Sequence, residues 1–176
     1  MSTTEQIAVR RLDPAEARTH LDGLAAVLFD CVDGGASVSY MAPFTHGDAR
    51  EVFAAFADDA DRGRRLILAA FADERLVGTV QVVLSTPPNQ PHRAEIAKLL
   101  VHRSARGRGI AQLLMEHAEV EARAEGRSLL VLDTVTGSTA ERLYERLGWN
   151  RLGVIPDFAL FPDGRYCDAT VFWKAI

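Results

Sequence analysis

Residues 94–134 read AEIAKLLVHRSARGRGIAQLLMEHAEVEARAEGRSLLVLDT, and this stretch decides the fold. Ala94 to His102 has the short apolar character of a strand, Gly109 to Glu125 the amphipathic spacing of a helix, and Ser128 to Thr134 that of a second strand. A strand, a crossing helix and a strand demand that the two strands run parallel. Between the first strand and the helix stands Arg106-Gly107-Arg108-Gly109-Ile110-Ala111. Unpaired N–H groups and the helix dipole favour an anion there, and a pyrophosphate would sit well. Gly107 and Gly109 remove side chains that would block close approach, while Arg103, Arg106 and Arg108 can compensate phosphate charge.

Working outward, Ile7 to Leu12 alternates as a strand, and Asp13-Pro14-Ala15-Glu16 supplies an N-cap, a first-turn proline and an acid three residues past the cap. A helix carrying Leu21, Leu24, Ala25, Leu28 and Phe29 follows and fades near Gly34-Gly35. Cys31 to Gly47 reads as a long loop or broken helix, and Val52, Phe53, Phe56 and Ala60 mark a second helix ending near Arg62-Gly63. Arg64 to Ala72 and Leu76 to Ser85 form an antiparallel hairpin joined at Asp73-Glu74. Beyond the parallel unit, a helix covers about Ser138 to Leu147, and strands Asn150 to Leu160 and Tyr166 to Ala175 meet at Pro162-Asp163-Gly164. The expected fold is α/β, a mixed and mostly antiparallel seven-stranded sheet with a central parallel βαβ unit and about four helices.

With 176 residues, 48% of them hydrophobic, the chain is expected to form a single domain, 1–176, around one sizeable core. A net charge of -4 with interspersed signs gives no basic face for nucleic acid. Cys31 and Cys167 lack the spacing of a disulfide framework or zinc site, and the five histidines form no ligating pattern, so no metal is expected. The polar N-terminus and the shortness of the longest apolar run, Leu66 to Ala72, point to a cytoplasmic protein without membrane association. A homodimer is compatible with the sequence.

Two nucleotide-binding readings compete for the glycine loop. A Walker loop needs Gly-Lys followed by Ser or Thr, but Ile110 follows Gly109. A Rossmann fingerprint has an acid where Asp133 stands, yet the third glycine is missing and the unit begins after three strands and two helices. The pattern Arg106-x-x-Gly109-x-Ala111 resembles the pyrophosphate loop of the GNAT acetyltransferase superfamily. Ala140-Glu141-Arg142-Leu143-Tyr144-Glu145-Arg146-Leu147-Gly148-Trp149 is similar to that superfamily's helix-plus-strand signature. A closer resemblance, to tabtoxin-resistance acetyltransferases, runs almost the full length. It rests on Gly34-Gly35-Ala36-Ser37-Val38, Arg93-Ala94-Glu95 with Lys98-Leu99, Ser104 to Gly109, Leu132-Asp133-Thr134 and Pro162-Asp163-Gly164-Arg165.

The resemblance implies acetyl-CoA as co-substrate, bound by Arg106, Gly107, Arg108, Gly109, Ile110 and Ala111, by the backbone of Leu99, Leu100 and Val101, and by Ala140 and Tyr144. A β-bulge in that strand would free a donor for the thioester carbonyl. Ser138 would take over the contact of an asparagine common in the superfamily, because Gly137 stands in its place. Tyr144 is the candidate acid toward the departing thiolate, or else a core aromatic beside Leu143 and Leu147. Glu95 and Asp133 are candidate proton acceptors, as acids in or ending apolar strands, or else solvated strand ends. Glu95 opens one strand and Asp133 closes its parallel neighbour, so they can flank one substrate only if the strands splay or stagger. Ser37 and Tyr40 are the candidate acceptor contacts, and Asp30, Asp33 and Asp157 are either cation contacts or simply solvated.

The expected function is transfer of an acetyl group to the primary amine of a small molecule, an amino-acid-like toxin or antibiotic among the candidates, by direct attack in a ternary complex. The alternatives are a non-catalytic acetyl-CoA-sensing or protein-binding module, and acetylation of protein N-termini or lysines.

Overall fold

The structure, a computed structural model, describes residues 6–176. Strand β1, Ile7–Leu12, leads into helix α1, Pro14–Thr19, through the expected signal: the Asp13 side chain accepts from the Glu16 N–H while the Glu16 side chain accepts from the Asp13 N–H. Here the structure departs from the sequence reading. The helix breaks at His20, which closes α1 and opens α2, Leu21–Asp33. Apolar spacing continues through the break, so periodicity alone does not mark it. His20 packs edge-on against Phe71, with ring centroids 5.2 Å apart. Helix α3, His46–Asp61, begins at a second reciprocal cap, Thr45 with Asp48. The described residues therefore form five α-helices, in keeping with the expected four or so once the short α1 is set apart.

Strands β2, Arg65–Ala72, and β3, Arg75–Val83, pair antiparallel around Asp73. Then come β4, Arg93–Val101, a 3-10 turn at Arg103–Ala105, helix α4, Ile110–Ala124, and strand β5, Leu129–Val135. Helix α5, Thr139–Arg146, precedes the hairpin of β6, Asn150–Leu160, and β7, Tyr166–Ala175. The sheet order is β1-β2-β3-β4-β5-β7-β6, and β4 with β5 is the parallel pair within an otherwise antiparallel set.

The apolar run of β2 is explained by cover on both faces. Leu66, Leu68 and Ala70 join Leu114, Met115, Leu130 and Phe172 under α4 and α5. Ile67, Ala69 and Phe71 join Leu24, Leu28 and Phe53 under α2 and α3. Phe53, Leu114 and Leu130 are wholly buried, each worth about 1.5–3 kcal/mol relative to exposure. Two such layers cover both faces of the sheet, and the site forms where β4 and β5 part. No helix among the described residues is long and apolar enough to cross a membrane.

Candidate active site

Strands β4 and β5 are in register only at Arg93 with Leu129, Ala94 with Leu130 and Glu95 with Val131. Beyond that the two strands part. On the opposite edge of β4, Thr79 faces Leu100 while Gln81 faces Ala97, so Lys98 and Leu99 together oppose Val80. This is a β-bulge, and Lys98 holds it with a φ of 52°. The gap opens into a cavity of about 980 Å³ lined by Glu95, Lys98, Leu99, Leu100 and Val101 from β4 and by Asp133, Thr134 and Val135 from β5. The difficulty posed by Glu95 and Asp133 is thereby resolved. Glu95 sits at the last registered pair, Asp133 lies two residues past it, and both line the same cavity.

One end of the cavity is the loop before α4. Arg106, Gly107, Gly109, Ile110 and Ala111 line it, whereas Arg108 does not. Gly107 and Gly109 have φ values of 77° and 75°, a region L-residues avoid. A Cβ built at either would meet nothing within 4 Å. Glycine is thus required here by backbone conformation, and the space beside it is open for a ligand to approach. Gly109 caps α4 without a side chain, leaving the first-turn N–H groups facing outward. These residues fit a pyrophosphate.

The three arginines do not share one task. Arg103 donates from its backbone N–H (2.8 Å) and Nε to the buried Asp30 carboxylate, and from Nη2 to Asp33 (2.9 Å). Its side chain ties the turn after β4 to the end of α2, correcting its assignment to phosphate. Asp30 and Asp33 are the acids of this tie. Arg106 is anchored by its Nε to the Val101 carbonyl at 3.0 Å and stays exposed beside the loop.

Ser138 caps α5, its hydroxyl accepting from the Glu141 N–H at 3.1 Å, and it also lines the cavity together with Ala140 and Tyr144. Gly137 has a φ of 78°, which accounts for a glycine there. Tyr144 packs against Trp149 and Phe172 at 6.0 and 5.8 Å, so it is a core aromatic that also reaches the cavity. Burial, reinforced by the Asp133 charge, pushes its hydroxyl well above the usual tyrosine range. Burial also raises the Asp133 carboxyl, an effect partly offset by Lys98.

Lys98 is a charged cavity residue that sequence reasoning passed over, having noted it only within a matching stretch. Its ammonium lies in the cavity wall, donates to Ser39 Oγ at 2.8 Å and stands 5.5 Å from the Tyr40 ring. A lysine in an apolar strand next to an acid two or three residues away was the available signal.

The other end of the cavity is roofed by the segment between α2 and α3 and by the tip of the β6–β7 hairpin. Ser37, Val38, Ser39 and Met41 line it from one side, and Phe158, Leu160 and Phe161 from the other. Ser37 donates to the Leu160 carbonyl at 2.7 Å, and the Ala42 N–H donates to the Pro162 carbonyl at 3.1 Å. Tyr40 does not line the cavity; it stacks on Phe44 with centroids 4.9 Å apart. Asp157 lies outside the cavity, its N–H donating to Asp168.

A helix N-terminus shaped for pyrophosphate, a splayed parallel pair and a bulge define a coenzyme-binding α/β fold. Residues 36–149 match the model of the Acetyltransferase (GNAT) family, and the chain belongs to that family. Among solved structures it is similar to an N-acetyltransferase from Staphylococcus aureus Mu50, 21% identical, with a TM-score of 0.81 over 97% of this chain and 98% of that one. It is similar to a ribosomal-protein-alanine N-acetyltransferase from Brucella melitensis, 20% identical, with a TM-score of 0.80 over 96% and 99%. It is also similar to yncA of Salmonella typhimurium, solved with its cofactor acetyl-CoA, 18% identical, with a TM-score of 0.78 over 96% and 93%. At these identities the likeness is one of fold.

Proposed function

We propose that this acetyltransferase moves the acetyl group of acetyl-CoA to the primary amine of a small molecule by direct attack in a ternary complex. The observation that carries the reading is the single cavity in which the pyrophosphate loop, the β4 bulge, Glu95, Asp133 and Tyr144 all meet. Its volume lies near the upper end of the ~300–1,000 Å³ usual for small-ligand sites, room for the coenzyme's reactive arm and a small acceptor. Both roof segments bear on acceptor choice. The stretches 34–38 and 162–165, on which the resemblance to tabtoxin-resistance acetyltransferases partly rests, are far apart in sequence, yet the loops that carry them are joined by the Ser37–Leu160 and Ala42–Pro162 hydrogen bonds. That contact supports an amino-acid-like toxin or antibiotic as acceptor.

When bound, acetyl-CoA supplies an activated acetyl group. The bulge at Lys98-Leu99 frees a backbone donor that ladder pairing would consume, and that donor polarises the carbonyl. Asp133 or Glu95 takes the proton the amine sheds as its nitrogen bonds the acetyl carbon, directly or through a water. Tyr144, held protonated by burial, gives its hydroxyl proton to the departing sulfur as the C–S bond breaks. A thiol-release assay across a panel of amines tests the reading. Amine-dependent thiol release supports it, and acetyl-CoA binding without turnover of any amine would replace it with a sensing module.

A further inference from the structure

We infer that the acceptor carries an anionic group, most simply a carboxylate, close to its reacting amine, and that Lys98 is the residue that fixes it. This deepens the proposed function and rests on it for the identity of the site. On the β4 and β5 walls the other charged lining residues are acids, Glu95 and Asp133, while the remaining lining cations, Arg106 and Arg146, come from the loop before α4 and from α5. Among the described residues no carboxylate lies within the 4.0 Å ion-pair distance of the Lys98 ammonium, whose hydrogen-bond partner is the neutral Ser39 hydroxyl. An ammonium has three donors, so two remain for a ligand.

A half-buried cation with no carboxylate in contact is costly, and it is kept in place here at the further expense of a left-handed backbone at Lys98. Burial and the nearby Arg65 guanidinium lower the Lys98 ammonium's affinity for its proton, while Asp133 and Glu95 act in the opposite direction. A ligand carboxylate would relieve both effects. The arrangement presents two acids and one ammonium around one space, complementary to a zwitterion: the acceptor's amine toward Asp133 and Glu95, its carboxylate toward Lys98. A ligand bearing a second cation in place of the carboxylate would meet Lys98 unfavourably.

The test uses matched probes that differ only at the anionic group: L-α-amino acids, their carboxamides and the corresponding decarboxylated amines. Binding to the coenzyme-A-saturated full chain is measured by calorimetry, and acetylation by thiol release. The expected result is that wild-type protein prefers the carboxylate by about tenfold or more, the usual worth of a charge-assisted contact. Lys98→Met should abolish that preference, Lys98→Arg should restore part of it, and acetyl-CoA affinity should hold in both. Equal affinity for acid, amide and amine in the wild type overturns the inference even if Lys98→Met fails to fold. Acetylation of all three at equal efficiency sinks the inference and leaves the proposed function standing. Carboxylate-dependent binding without acetylation does the reverse.

Discussion

Lys98 and Ser39, non-glycine residues held at φ values of 52° and 85°, meet through a 2.8 Å hydrogen bond at the cavity wall. Such a backbone costs an L-residue roughly 1–2 kcal/mol. Ser39→Gly should therefore hold or raise the Tm while withdrawing the Lys98 partner and weakening acceptor binding. Ser39→Val, β-branched at the same φ, should lower the Tm, by about 2–4 °C for each kcal/mol lost. Paired thermal melts and acceptor KM values check both.

Arg103 and Arg106 stand three residues apart but should fail differently. Arg106→Ala is expected to raise the acetyl-CoA dissociation constant with little change in Tm. Arg103→Ala removes the Nε donor and its charge from the buried Asp30 carboxylate, leaving the backbone N–H contact, so the Tm should fall while coenzyme affinity changes less. Gly109→Asp should weaken coenzyme binding most, because it adds an anion where phosphate belongs. Calorimetry with acetyl-CoA, set against NAD as a control, reads all three.

Asp133 links pH to stability and to rate. Its folded pKa is raised by burial, so the native chain holds this proton more tightly than the unfolded chain. The stability it contributes is complete below the unfolded value, about 3.9, and is lost as pH rises through the folded pKa. Asp133→Asn should then be more stable than the wild type at neutral pH, the difference vanishing in acid. If Asp133 is the base, kcat at neutral pH should fall and the acidic limb of the rate profile should disappear. Glu95→Gln tested in parallel identifies which acid serves; full kcat in both variants would mean the amine arrives neutral and positioning alone suffices.

Tyr144→Phe keeps the ring contacts with Trp149 and Phe172, so the melt should barely move while kcat drops about 10²-fold. Tyr144→Ala should instead destabilise the fold by about 3–5 kcal/mol through the cavity it leaves. A large loss of stability in the Phe variant would assign the hydroxyl a structural role.

The elements that sequence reading placed well are those with strong local chemistry. The Asp13–Glu16 cap, the glycine loop before α4 and the β6–β7 hairpin each announce themselves in neighbouring residues. What stayed hidden depends on contacts between distant parts of the chain. Nothing near His20 says that a helix with unbroken apolar spacing must turn there. The bulge at Lys98-Leu99 is a mismatch between two strands and has no mark within either. Arg103 and Arg106 look alike in sequence, and only Asp30, some 73 residues earlier, separates their roles. Ser37 is legible as a candidate acceptor contact, but its bond to the Leu160 carbonyl, 123 residues on, is not.

Because β4 and β5 hold each other through only three residue pairs, the middle of the sheet has a seam. Backbone amides of β5 that face the gap lack a neighbouring strand, while those facing β7 are paired along the whole strand from Leu129 to Val135. In hydrogen–deuterium exchange the two edges of this one central strand should therefore differ, the gap side exchanging by small local openings and the β7 side only when the hairpin comes away. A ligand lodged in the gap would slow exchange at the seam first, giving a readout of occupancy that needs no catalytic turnover.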